Sequence, residues 1–137
     1  MYKLIIRFKP FFKVFFWLWL LFILVVSSTP NLPDIKLNLD ESTLRIDYAI
    51  HFIEYFVLVG FFLIWRIKIN LNPTITIILF TLLIGIATGF ADEFHQKIIT
   101  GRTYNPNDML FNFLGVIAGV FTVALYLKII SSKIDRR

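Results

Sequence analysis

The sequence predicts an all-α integral membrane protein, a four-helix bundle with both termini in the cytoplasm. Three observations predict it. The 137 residues are 58% hydrophobic and 17% charged, whereas soluble domains are usually about half apolar and about a quarter charged. Four long apolar runs divide the chain, and none alternates apolar with polar residues as a barrel strand does. The basic residues gather on one side of those runs.

Each run is long enough to be a membrane helix. A hydrocarbon core of about 30 Å needs roughly 20 mostly apolar residues. The first apolar core runs from Val14 to Val26 and closes at Ser27-Ser28-Thr29-Pro30, giving a span over about 11–29. The second, Tyr48 to Trp65, is interrupted only by His51 and Glu54 and predicts a span over 47–66. Ile69 to Ala91 and Met109 to Leu127 are uncharged and predict spans over 72–92 and 108–129. Together they read as one membrane domain over 1–137. The first run also has features of a secretory signal peptide. Crowding by Phe and Trp, and the lack of a small-x-small cleavage site, favour a retained span.

Charge sets the expected orientation. With four spans, both termini and the loop between spans two and three share a side. That side carries Lys3, Arg7, Lys9, Lys13, Arg66, Lys68, Lys128, Lys133, Arg136 and Arg137, ten of the 14 basic residues. Lys36, Arg45, Lys97 and Arg102 lie opposite. Basic short loops stay in the cytoplasm, so the net charge of +5 reads as a topology signal and requires no nucleic acid. With no cysteine in the chain, disulfides, thiolate metal sites and a cysteine nucleophile are excluded.

Two polar clusters interrupt this apolar background, one at Asp47, His51, Glu54 and Tyr55, the other at Asp92, Glu93, His95, Gln96, Arg102, Asp108 and Asn112. Ionisable groups within membrane segments are costly and mark functional sites by default. The topology sends both clusters to the extracytoplasmic ends of spans two, three and four. At 1.5 Å per residue, His51 and Glu54 lie about 6 and 10 Å below Asp47, and Asn112 about 6 Å below Asp108. Matching depths on separate helices predict one shared pocket. Asp47, His51, Tyr55 and Leu58 share a stripe of span two, while small faces at Gly85/Gly89 and Gly115/Gly119 predict that spans three and four pack together.

Each residue also has a purely structural reading. Asn105-Pro106-Asn107-Asp108 resembles an N-cap, Pro at N1 and a first-turn acid. Asp47 is equally suited to a first helical turn, and Asn112 to interhelical hydrogen bonding. His51 and Glu54 are the hardest to place as surface charge, although they could form a buried locking pair. Arg102 could pair with Asp92 or Glu93, or hold a phosphate or carboxylate in fork geometry.

These residues resemble a known family. Ser27-Ser28 closing span one, Asp47-x3-His51-Phe52-x2-Tyr55 opening span two, and Asp92-Glu93-Phe94-His95-Gln96 with Gly101-Arg102, Asp108, Asn112 and Gly115 are similar to the VanZ-like proteins. These are small bacterial membrane proteins named for one associated with teicoplanin resistance. The resemblance runs from the first span to Gly119. Tyr48 departs from it, since the family usually carries Lys there. It implies a multi-pass protein of the bacterial cytoplasmic (inner) membrane and a role in glycopeptide resistance. It supplies no reaction.

The functional expectation is an extracytoplasmic pocket that binds or modifies a lipid, a lipid-linked cell-wall precursor or a glycopeptide. Arg102 would hold an anionic group, with Asp47, Tyr55, Asp92, Gln96, Asp108 and Asn112 around the ligand. His51 would be the general base, with Glu54 or Glu93 as its acid partner. No cofactor motif is present. A divalent metal on Asp47, His51, Glu93 and Asp108 is a variant without a recognised ligand spacing. The alternatives are a non-enzymatic scaffold and, with less support, a proton- or ion-coupled transporter.

Overall fold

The computed structural model describes residues 2–30, 36–39, 42–67, 72–102 and 104–135. Four helices carry the architecture: α1 (Tyr2–Ser28), α2 (Ile46–Arg66), α3 (Ile75–Gln96) and α4 (Pro106–Asp135). A short antiparallel hairpin, β1 (Lys36–Leu39) and β2 (Ser42–Arg45), sits between α1 and α2, with Lys36 opposite Arg45 and Leu39 opposite Ser42. All four helices are long and apolar enough to cross a membrane. The shortest has 21 residues and spans about 31 Å, close to the hydrocarbon thickness.

The local sequence explains the helix ends. Thr74 caps α3 by accepting a hydrogen bond from the Ile77 backbone N–H at 3.4 Å. Gly101 adopts a φ of 81° in the α3–α4 loop, a left-handed conformation that costs glycine little and other residues more. Asn105 caps α4: its Oδ1 accepts from the Asn107 N–H at 3.0 Å, and its Nδ2 donates to Asp108 Oδ1 at 2.9 Å. Pro106 then takes the first helical position, where its missing N–H has no cost. Helix α1 begins at Tyr2 and continues through Pro10, which leaves the Ile6 carbonyl without its usual helical donor.

Helices α2 and α4 share the largest interface, and α1 packs mainly on α2. The expected packing of α3 on α4 is present, with Gly89 against Asn112 and Phe113, but the small face of α4 turns to α2 instead. A Cβ on Gly115 would collide with the Phe52 carbonyl oxygen, and one on Gly119 would lie 2.6 Å from that of Phe56. The glycines of α4 therefore admit the backbone of α2. Gly85 of α3 fits between Val59 of α2 and Val116 of α4. One core cluster centres on Phe16, Tyr55, Leu58, Phe62 and Val116, and a second on Leu63, Ile67, Leu127 and Ile130. Outward-facing positions such as Leu18, Leu21, Val25, Leu83 and Phe121 are exposed. So much apolar surface suits lipid and would be a liability in water.

The hairpin and the α3–α4 loop lie at the same end of the bundle, called here the loop end. Ser28, Ile46, Gln96 and Pro106 are the helix termini that meet there.

Candidate functional site

Polar side chains from all four helices converge near the loop end, and most are buried. Helix α2 contributes His51, Glu54 and Tyr55 from successive turns of one face, 7%, 5% and 1% exposed. Helix α3 contributes Asp92, Glu93 and Gln96, α4 contributes Asp108 and Asn112, and α1 contributes Ser27, all of them buried. The matching depths of His51 and Asn112 place them in direct contact.

Two linked networks make up the site. In the first, Asn112 bridges helices: its Oδ1 lies 3.0 Å from His51 Nδ1, and its Nδ2 donates to Glu93 Oε1 at 3.5 Å. His51 Nδ1 is 4.0 Å from Glu54 Oε2, and Nε2 is 3.8 Å from Asp108 Oδ2. In the second, Ser27 Oγ donates to Asp92 Oδ1 and Gln96 Nε2 donates to Asp92 Oδ2 at 3.1 Å. The Gln96 carbonyl then accepts from the Arg102 guanidinium at 2.7 Å. Tyr55 stands beside Asp92 and donates to the Thr88 carbonyl at 3.3 Å.

These bonds leave carboxylate oxygens over. Among the described residues, Glu54 Oε1 and Glu93 Oε2 are buried side-chain oxygens with no hydrogen-bond partner. A buried polar atom without a partner costs about 1–3 kcal/mol, and more when charged. Of the described basic groups, His51 faces Glu54 and Asp108, and Arg102 lies near Glu54 and Glu93. Among the described residues, no carboxylate comes within 4 Å of Arg102, whose hydrogen bond goes to a neutral amide. Among the described residues the interior is therefore rich in acceptors, while the guanidinium at its edge has donors beyond its bond to Gln96. A ring nitrogen of His51 and carboxylate oxygens of Asp92 and Glu93 lie within 4.8 Å of one another, close enough to share a metal ion.

The sequence-derived candidates divide accordingly. His51, Glu54, Tyr55, Asp92, Glu93, Gln96, Arg102, Asp108 and Asn112 are joined into one cluster. Asp108 both starts α4 and faces His51, so its two readings coexist. Asp47 occupies the first turn of α2, half-buried, and is not in the close group of His51, Asp92 and Glu93. Tyr48 stacks on Phe111 of α4 with centroids 4.8 Å apart and accepts from Asn107 Nδ2 at 3.2 Å. His95 lies at the edge, 2.9 Å from Ser28 Oγ.

Ser27 was not singled out as a site residue. A serine closing an apolar run reads as a helix boundary, and only the approach of α1 to α3 gives it Asp92 as a partner. The Trp19 indole N–H donates to the Glu54 backbone carbonyl at 2.8 Å.

Below the cluster, an apolar cavity of about 430 Å³ opens between α1, α2 and α3. Phe16, Trp17, Leu20, Phe62, Phe80 and Thr88 are among its lining residues. Thr88 is one turn of α3 below Asp92, a rise of about 6 Å, so apolar cavity and polar cluster follow one another along the bundle.

The chain matches the family model described as VanZ/LLP1 over residues 4–128. No significant match is found among curated proteins or solved structures. The matched region takes in every residue of the cluster and all but the last turns of α4, so bundle and cluster are covered together. The chain belongs to the VanZ/LLP1 family.

Proposed function

We propose that the protein binds the headgroup of an amphipathic ligand in the loop-end cluster, with the ligand's apolar chain in the adjoining cavity. The observation that carries this reading is the cluster's imbalance. Among the described residues, buried carboxylate oxygens lie unpartnered near an arginine whose guanidinium has donors beyond its bond to Gln96. A matching headgroup combines an anionic group for Arg102 with hydroxyl or amine donors for the acidic interior. Phosphate-bearing lipids with hydroxylated headgroups and lipid-linked cell-wall precursors have that chemistry, and lipoglycopeptides share parts of it. The route to glycopeptide resistance would be through such a ligand. Should a chemical step accompany binding, His51 is placed to accept a proton, with Glu54 or Glu93 as its partner.

The distribution of Lys and Arg supports placing the cluster on the extracytoplasmic side of a bacterial inner membrane. Because the chain has no cysteine, single labels report orientation cleanly. Lys97→Cys should react with an impermeant thiol reagent on intact cells, and Lys133→Cys only after lysis. The opposite pattern would invert the topology.

Delipidated protein in detergent tests the binding reading. Phosphatidylglycerol and a polyprenyl-phosphate-linked sugar should bind saturably, and Arg102→Ala should weaken the binding by about tenfold, the loss of one charge-assisted contact. A second reading, in which the network only locks the helices, is favoured by its interhelical hydrogen bonds. Under that reading Arg102→Ala and Glu93→Gln change thermal stability but leave lipid binding as weak and unsaturable as it is in wild type.

A further inference from the structure

The most acidic part of the cluster has a composition that hydrogen bonding alone does not explain. His51, Asp92 and Glu93 are 7%, 3% and 0% exposed. One ligand atom from each lies within 4.8 Å of the others. Among the described residues, Glu93 Oε2, on a fully buried carboxylate that also lies against the Asn105 backbone, has no hydrogen-bond partner, and neither has Glu54 Oε1 across the same cluster. Two independent features therefore coincide: a compact donor set, and a buried carboxylate oxygen left over beside it.

The histidine adds a third feature. A neutral imidazole has one N–H and one lone pair. With the proton on Nδ1, Asn112 Oδ1 accepts it at 3.0 Å, and the Nε2 lone pair then faces Asp108 Oδ2 at 3.8 Å. With the proton on Nε2, the Nδ1 lone pair faces Glu54 Oε2 at 4.0 Å. Either tautomer sets an imidazole lone pair against a carboxylate, an arrangement that positive charge between them would stabilise. Asn112 Oδ1, 3.0 Å from Nδ1, fixes the orientation of the ring. The second network orients Asp92 in the same way, through Ser27 and Gln96.

We propose that His51, Asp92 and Glu93 bind one first-row divalent cation, of the manganese or zinc kind, at the floor of the headgroup site. Two carboxylates with one imidazole suit these ions, which take such ligands at about 2.0–2.2 Å. A chain without cysteine offers no thiolate to a softer ion. Glu54 and Asp108 lie beside the imidazole and add negative charge around the ion. This inference rests on the headgroup reading in one respect: a bound cation would neutralise the acidic interior and offer a phosphate a second contact opposite Arg102.

Untagged protein, stripped of lipid and chelator-washed in detergent, tests it. Mn²⁺ is titrated with electron paramagnetic resonance following the free ion, and Zn²⁺ is added as competitor. Saturation at one ion per chain is expected, with Glu93→Gln and Asp92→Asn each weakening it by at least about tenfold. Because those variants could unfold, a second measurement uses proteins that keep the cluster. Electron spin echo modulation of the Mn²⁺ complex should show an imidazole nitrogen both in wild type and in His95→Gln. No saturable binding below about 1 mM, an affinity unchanged in folded Glu93→Gln, or nitrogen coupling lost in His95→Gln would each overturn the site. Lipid binding repeated in excess chelator separates the two proposals. Lipid binding without metal binding overturns only the cation, and metal binding without lipid binding overturns only the headgroup reading.

Discussion

Asn112 is fully buried and uses both ends of its amide, accepting at His51 and donating to Glu93. It joins the α2 and α3 contributions through α4. Alanine at this position removes both contacts, taking a hydrogen-bond partner from buried His51 and from buried Glu93. Hydrogen bonds within membranes are individually modest because the unfolded chain in lipid finds substitutes, whereas orphaned groups cost more. Asn112→Ala should therefore destabilise the protein by about 1–3 kcal/mol in detergent unfolding titrations. Tyr55→Phe, which loses one hydrogen bond to a backbone carbonyl, should cost about 0.5–1 kcal/mol. A cost for Asn112→Ala no larger than that for Tyr55→Phe would mean that the bridge is not maintained in solution.

At the scale of the helices, the approach of α4 to α2 decides how the cluster is assembled. Gly115 lies three residues below Asn112, where a Cβ would meet the Phe52 carbonyl one residue after His51. Gly115→Ala should force the helices apart, costing about 1–3 kcal/mol and weakening lipid binding by pulling Asn112 away from His51. Gly60→Ala is the control, since its Cβ would meet only Val123 Cγ2 at an ordinary 3.6 Å. Equal melting shifts for the two variants would contradict the packing. This interface also shows what sequence can and cannot convey. Spacing reveals that Gly115 and Gly119 share a face, and that His51 and Asn112 lie at equal depth. It does not say which helix meets that face, because close approach depends on the side chains of both partners. The strands at 36–39 and 42–45 escape a sequence reading for a related reason: four residues is the shortest run in which alternation can be read. Ser27 joined the site only through the position of α1, which its own uniform apolar surface leaves unspecified.

Over the whole molecule, the arrangement separates two environments along the bundle axis. The loop end gathers carboxylates, imidazole and guanidinium, whereas an aromatic-lined cavity extends from Thr88 towards Trp65 and Arg66. The opposite end carries Lys13 and Arg66 against the Trp65 ring, at 5.8 and 5.7 Å, as expected of basic and aromatic anchors at a membrane surface. An amphipathic ligand aligned with the lipids would meet the polar and apolar parts in that order. A helix-locking network makes no such demand and predicts that the cluster remains closed to lipid. The two accounts differ most directly in whether a headgroup reaches His51. Solid-state NMR on the His95→Gln protein, labelled with ¹⁵N-histidine and reconstituted into bilayers of total bacterial lipid extract, can measure this through dipolar recoupling to ³¹P. The headgroup account predicts that phosphorus attenuates the His51 ring signal, and that Arg102→Ala abolishes the attenuation. A His51 ring with no phosphorus coupling, in bilayers where the exposed helix faces do contact lipid, would contradict it.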